Sequence, residues 1–222
     1  MHCYNIYKNP EAVAKAATNY LSQQIELCIA DKDVCHVALP GGGTPARCLE
    51  LLSAKTLPWE KIHWYLGDER CYPIGHSERN DSMINDRLWS RVTIPQQNQH
   101  IIHAELGAED AAQQYTKLLQ SVGALDIVLL GMGEDGHTAS LFPGNPALDD
   151  ERTVVPVFNA PKPPAERVTL GLSTLKQAGQ RIALVTGVGK RDAMHQIKAG
   201  AALPINQIGM IHWYLDQAAD AT

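Results

Sequence analysis

Apolar positions in this chain fall alternately at helical spacing and in short continuous runs, the pattern of helices and buried strands taking turns. Asn9-Pro10-Glu11 has the order of N-cap, first-position proline and first-turn acid, and opens a helix expected to reach about Ala30. Val13, Ala17, Tyr20, Leu21, Gln24 and Cys28 recur along it at helical spacing. Val34 to Leu39 reads as a buried strand that stops at Pro40-Gly41-Gly42-Gly43, where Thr44-Pro45 caps a helix carrying Cys48, Leu51 and Leu52. Lys61 to Leu66 predicts a strand, followed by a polar loop from Gly67 to about Arg79, a helix near Asn80 to Trp89 and a strand around His100 to His103. Ala108 to Val122 predicts a helix, and Asp126 to Leu130 a central strand running into Gly131-Met132-Gly133-Glu134-Asp135-Gly136-His137. Further segments follow at Thr153 to Val157, Arg167 to Leu172 and Arg181 to Thr186, then a helix from about Lys190 and a last strand from Met210 to Leu215. This is an α/β chain with a parallel sheet, whose polar and glycine-rich segments gather at the C-terminal ends of the strands, where such sheets bind ligands. The bend at Pro161, Pro163 and Pro164 is too short to separate domains, so residues 1–222 read as one domain.

Composition narrows the function classes. The 222 residues are 45% apolar with a net charge of −5, which argues against a nonspecific nucleic-acid binder and against a polybasic membrane-surface protein. No apolar run reaches the roughly 18–20 residues of a spanning helix. The first residues lack the basic and apolar regions of a signal peptide, so the expected location is the cytoplasm, with no nucleic-acid, membrane or obligate protein partner. The five cysteines, Cys3, Cys28, Cys35, Cys48 and Cys71, are odd in number, widely spread and without a C-x-x-C pair, and are expected to be reduced thiols.

Chemistry concentrates in a few segments. Gly41-Gly42-Gly43-Thr44 follows a strand and opens a helix, a place where backbone N–H groups receive an anion such as a phosphate; no Lys-Ser/Thr follows, so it is not a Walker A loop. Asp68-Glu69-Arg70 puts two acids beside an arginine after a buried strand, suited either to acid–base work with anion binding or to a salt-bridged loop. Gly131 to Gly136 matches the G-x-G-x-x-G dinucleotide pattern, but Glu134 and Asp135 would repel a pyrophosphate and the position is past midchain. The other reading is a loop presenting Asp135 and His137 together at a helix start, a carboxylate and a general base near neutral pH. Arg167 and Lys190 add cations at strand ends that gain meaning only beside a phosphate loop. His36, His63 and His212 alternate within apolar strands as core or half-buried residues, and neither H-E-x-x-H nor G-x-S-x-G occurs.

Taken in order, these segments resemble the 6-phosphogluconolactonase family of the glucosamine-6-phosphate deaminase-like superfamily. The resemblance rests on Gly41 to Pro45, Asp68-Glu69-Arg70, His76 with Asn80, the long run Gly131 to Gly144, Pro163 to Leu170, and Thr186 to Lys190. Arg79 stands where serine is usual. The sister deaminases follow the Asp-Gly-His core with Asn-Glu-Pro, supplying a catalytic glutamate; Ser140-Leu141-Phe142-Pro143 occupies that stretch here, which favours lactone hydrolysis. A non-catalytic sugar-phosphate sensor is the other alternative, one that would carry a DNA-binding helix-turn-helix.

The resemblance implies a three-layer, doubly wound, mainly parallel sheet with helices on both faces, and hydrolysis of 6-phospho-D-glucono-1,5-lactone in the oxidative pentose phosphate pathway without metal or cofactor. It implies that His137 is the base, with Asp135 orienting it and Asp68 catalytic, and that Gly42, Gly43, Thr44, Arg70, Arg167 and Lys190 hold the phosphate.

Overall fold

The computed structural model describes residues 3–220. Its main sheet has the order β1-β10-β9-β6-β2-β3-β5, built from β1 (Cys3–Tyr7), β2 (Cys35–Leu39), β3 (Ile62–Leu66), β5 (Gln99–His100), β6 (Ile127–Gly131), β9 (Gln180–Val185) and β10 (His212–Asp216). Every pairing in it is parallel. A second sheet is antiparallel, of order β4-β8-β7, from β4 (Asp68–Arg70), β7 (Val154–Val157) and β8 (Arg167–Leu170). The helices are α1 (Pro10–Lys32), α2 (Gly43–Leu52), α3 (Asn80–Arg87), α4 (Ala108–Gln120), α5 (Leu172–Gln177) and α6 (Arg191–Lys198).

Strand order fixes the layers. From β2 the chain steps one way to β3 and β5, then returns through β6 to β9 and β10 on the other side. Right-handed crossovers therefore put α1, α2 and α3 on one face and α4, α5 and α6 on the other. The direction of winding reverses between the neighbours β2 and β6, and open parallel sheets bind ligands in the crevice outside such a reversal. Buried aliphatic runs on β2, β3, β6 and β9, with Trp64, Tyr65 and Trp213, fill the space between layers.

Several elements differ from the sequence expectation. β1 carries no apolar run; it is an edge strand, mostly half-exposed, recruited by pairing with β10. The polar loop after Leu66 begins with β4, because its backbone finds partners on β8. The strand at His100 is two residues long, and Leu172 starts α5 instead of ending a strand. Gly42, not Thr44, is the N-cap of α2, with φ at 101°, a left-handed value that favours glycine. No helix follows Gly131 to His137: the chain turns and forms the bridge Thr138–Leu141. The dinucleotide pattern thus lacks the helix N-terminus on which a pyrophosphate would rest. No helix of the described residues is long and apolar enough to cross a membrane.

His36, His63 and His100, on the neighbouring strands β2, β3 and β5, lie ring against ring on one side of the sheet. His36 Nδ1 lies 3.0 Å from the Tyr65 hydroxyl, and His63 Nδ1 lies 3.0 Å from His100 Nε2. Burial lowers the pKa of all three; His63 adds to the effect on His36, and His63 and His36 add to it on His100, which falls from 6.5 to about 4, while Asp126 and Lys32 act on His36 in opposite senses. The unfolded chain therefore takes up protons below pH 6.5 that the folded chain refuses, and this contribution to stability is lost as pH falls from 6.5 toward 4. Glu69, raised to about 7 by burial, acts in the opposite sense over part of that range. The histidine share is thus read against His100→Phe. Between pH 7 and 4.5 the wild type is expected to lose roughly 2–4 °C more in melting temperature than the variant, which corresponds to about 1 kcal/mol for half-exposed rings. Parallel melting curves would remove His100 from this role.

Candidate active site

A cleft of about 430 Å³ opens where the winding reverses, at the C-terminal ends of β2, β6 and β9. Its floor is the turn from Pro40 into α2. Gly42, Gly43 and Thr44 use none of their N–H groups in backbone bonds among the described residues, and Pro45 has none to offer. The start of α2 therefore presents unpaired donors and the positive end of its dipole to the cleft, the arrangement that receives an oxyanion. The Thr44 hydroxyl lies 2.6 Å from that of Thr186 just beyond β9, which ties this turn to the loop leading to Lys190. Gly41 is glycine for a reason of space: a Cβ there would sit 2.0 Å from the Asn80 side chain.

The antiparallel sheet makes one wall, and its period of two divides Asp68-Glu69-Arg70 between two tasks. Asp68 and Arg70 face the cleft. The buried Asp68 carboxylate accepts a 2.6 Å bond from the Ser140 hydroxyl and a 3.1 Å bond from Asn80 Nδ2. Glu69 points inward and accepts the N–H groups of Arg70, Asn80 and Asp81 at 2.8–2.9 Å, capping α3 from outside its own chain segment. Burial pushes its carboxyl up to about 7. Arg79 is enclosed beside it, 3.9 Å from Glu69, forked onto Asp81 and bonded to Glu105 and the carbonyls of Tyr72 and Ile102.

Arg70 and Arg167 are direct partners across the β4–β8 ladder, so two guanidinium side chains project from neighbouring positions on one face. Like charges placed so disfavour the fold unless an anion joins them. Arg70 is half-exposed and donates to the Glu78 carbonyl at 2.6 Å and to the Glu78 carboxylate at 3.3 Å, which meets part of its charge. Arg167 is buried, held by the carbonyls of Lys162, Pro163 and Pro164, and stacked over the Phe142 ring at 5.5 Å. Among the described residues it forms no ion pair. Burial lowers its pKa, with Asp68 opposing and Arg70 adding to the effect.

His137 lines the same cleft as these cations. Its Nδ1 is 2.5 Å from Asp135 Oδ1, which also accepts the His137 N–H at 3.2 Å, so the neutral imidazole carries its proton on Nδ1 and leaves Nε2 as a base. The backbone must fold tightly for this pair: a Cβ on Gly133 would lie 2.0 Å from Nδ1. Phe142 packs against the other side of the ring, centroids 4.5 Å apart. Burial lowers the His137 pKa, and Asp135 works against that. Burial tends to raise Asp135, yet the charge and hydrogen bonds of His137 outweigh it and hold the carboxyl below its usual range.

Of the residues singled out from the sequence, Gly42, Gly43, Thr44, Asp68, Arg70, His137, Arg167 and Lys190 all line this cleft, and Asp135 stands behind His137 without lining it. Lys190 has no ion-pair partner among the described residues, and burial lowers its pKa against the opposing pull of Glu134. Lys162, Asn80, Thr186 and Phe142 also line the cleft and were not assigned to it from the sequence. Asn80, Thr186 and Phe142 lay within the segments that carry the resemblance, whereas Lys162 is a cation inside the proline bend just before Arg167.

A family model described as glucosamine-6-phosphate isomerases/6-phosphogluconolactonase matches residues 8–213. The human 6-phosphogluconolactonase is 34% identical over 97% of this chain and 91% of its own length. The Synechocystis 6-phosphogluconolactonase is 34% identical over 95% of this chain and 94% of its own. The crystal structure of the Thermotoga maritima 6-phosphogluconolactonase superposes with a TM-score of 0.92 at 27% identity, over 98% of this chain and 100% of that one.

Proposed function

Since the chain belongs to the glucosamine-6-phosphate isomerase/6-phosphogluconolactonase family, we propose that it hydrolyses 6-phospho-D-glucono-1,5-lactone to 6-phospho-D-gluconate, as one domain, with His137 as general base. The observation that carries this reading is one cleft holding both a base and an anion site. The Asp135-supported imidazole lines the same cleft as Arg70, Arg167, Lys190 and the start of α2.

The phosphate binds between these cations and the N–H groups of Gly42, Gly43 and Thr44, which relieves the repulsion between Arg70 and Arg167. Anchored at that end, the sugar lays its C1 carbonyl toward His137, and binding energy from the remote phosphate orients the reacting centre. His137 Nε2 takes a proton from a water as the water oxygen bonds to C1. The tetrahedral intermediate then collapses with cleavage of the C1–O5 bond. The imidazolium returns its proton to the departing ring oxygen, which becomes the C5 hydroxyl, and the acid ionises. Asp68, fixed by Ser140 and Asn80, faces the sugar and is suited to accept from its hydroxyls.

The direct test is turnover of freshly prepared lactone, corrected for spontaneous hydrolysis, alongside ammonia release from glucosamine 6-phosphate. Accelerated lactone loss without ammonia is expected, and a rate no faster than buffer would overturn the reading. Arg70→Gln and Lys190→Gln are each expected to raise KM by about 10- to 100-fold, the worth of one charge-assisted hydrogen bond. Unchanged KM in both would separate these cations from the phosphate.

A further inference from the structure

The opposite edge of the sheet, at the N-terminal ends of its strands, holds a cluster the reaction does not use. Cys28 lies in the penultimate turn of α1, Cys35 is the first residue of β2, and Asp126 immediately precedes β6. Their Sγ, Sγ and carboxylate oxygen atoms all lie within 4.8 Å of one another. A tetrahedral zinc ion with Zn–S near 2.3 Å and Zn–O near 2.0–2.2 Å spaces its ligand atoms roughly 3.5–3.8 Å apart, so a set whose members all lie within 4.8 Å needs to close by little more than about 1 Å.

The surroundings prepare Asp126 to meet a cation. Its Oδ2 is fixed by the His36 N–H at 2.8 Å, and its Oδ1 is answered by the Lys32 ammonium at 2.6 Å. The two ends of that ion pair differ sharply: the Asp126 side chain is 8% exposed and that of Lys32 59%. Lys32 thus reaches in from solvent and is free to withdraw, which leaves the carboxylate available beside the two sulfurs. Cys28, half-buried, lies on the accessible side and spends its thiol on the Val34 carbonyl at 3.7 Å, a weak bond to give up.

We propose that Cys28, Cys35 and Asp126 form a binding site for a thiophilic divalent cation of the zinc class, joining the end of α1 to the starts of β2 and β6. Two thiolates and a carboxylate select such an ion over magnesium or calcium, and a water completes the tetrahedron. Binding releases both thiol protons to solvent. The thiolates, carboxylate and ion then sum to −1, which Lys32 offsets from the solvent side. Burial raises both thiol pKa values, so affinity rises steeply with pH. The site does not depend on the lactonase reading.

The test uses the reduced full chain and cobalt(II) as probe. One cobalt per chain is expected, with a thiolate charge-transfer band and the intense visible bands of a tetrahedral ion, both removed by zinc. Cys28→Ser and Cys35→Ser should abolish the bands, Asp126→Asn should weaken binding at least tenfold, and Cys3→Ser/Cys71→Ser should leave it intact. Stoichiometric zinc should raise the melting temperature of the wild type and leave that of Cys28→Ser unchanged. Cys28 is half-buried, so that variant keeps the test open even where Cys35→Ser fails to fold. Absent cobalt–thiolate bands in the reduced wild type, or equal bands in Cys28→Ser, would overturn the proposal. A Cys28–Cys35 disulfide formed in air by a chain that shows no such bands when reduced would also overturn it, assigning the pair to redox chemistry instead.

Discussion

His137→Ala is expected to lower kcat by about 10²- to 10⁴-fold, the usual worth of a positioned general base, while 6-phospho-D-gluconate still binds nearly as well as to the wild type. The two readouts divide because the cleft divides. On the proposed reading the imidazole acts at the reacting carbon, whereas the phosphate is met by other groups lining the same cleft, Arg70, Arg167, Lys190 and the first turn of α2. The pH profile carries the same information. His137 acts only when neutral, and burial depresses its pKa, so kcat/KM should rise with pH through a midpoint below the ordinary histidine value of 6.5 and then level off. Asp135→Asn removes the carboxylate that opposes that depression. Its acidic limb should therefore move to still lower pH while kcat falls, because the amide carries no charge to stabilise the imidazolium and can turn its NH2 toward Nδ1, which fixes the wrong tautomer. Single-turnover kinetics on fresh lactone, with calorimetry on the product, checks all three statements. Wild-type kcat in His137→Ala would end its assignment as base.

The sequence made some of this visible and hid the rest for physical reasons. β2, β6 and β9 were legible because strands covered on both faces must be continuously apolar, and the glycine turns after β2 and β6 mark where the backbone bends sharply. β1 and β4 were not legible. One is a half-exposed edge, and the other is three polar residues whose strand state depends on a partner about 100 residues away. The same distance effect applies at the site. His137 and Asp135 are neighbours in sequence and announce each other. The partners of Asp68, Ser140 and Asn80, come from separate segments, and nothing local links them. Asp68-Glu69-Arg70 reads as one charged cluster until its strand period is known, after which Glu69 becomes a buried cap for α3 and only its neighbours face the cleft. Cys28, Cys35 and Asp126 lack any metal-ligand spacing for the same reason, since the third group arrives with a different strand.

Arg79→Ser is expected to destabilise this chain by about 3–5 kcal/mol, because the guanidinium is the centre of a buried charge network. Its side chain is 0% exposed and closes a set of three carboxylates: Asp81 through a fork at 2.6–2.9 Å, Glu105 at 3.1 Å and Glu69 at 3.9 Å. Serine can neutralise none of them, and Glu69 and Asp81 have little solvent to turn to. Arg79→Lys should fall between, since one ammonium cannot serve Asp81 and the carbonyls of Tyr72 and Ile102 together. Adding Asp81→Asn to Arg79→Ser should recover part of the loss by removing one stranded charge, a coupling that denaturant melts of the double-mutant cycle would measure. The consequence reaches the reaction, because Asn80 follows Arg79 directly and holds Asp68 in the cleft. Well below its melting temperature, Arg79→Ser should therefore still show a lowered kcat with a folded far-ultraviolet spectrum. A variant within about 1 kcal/mol of wild type would mean that the three acids lose their charge in the folded state without needing Arg79 to balance them.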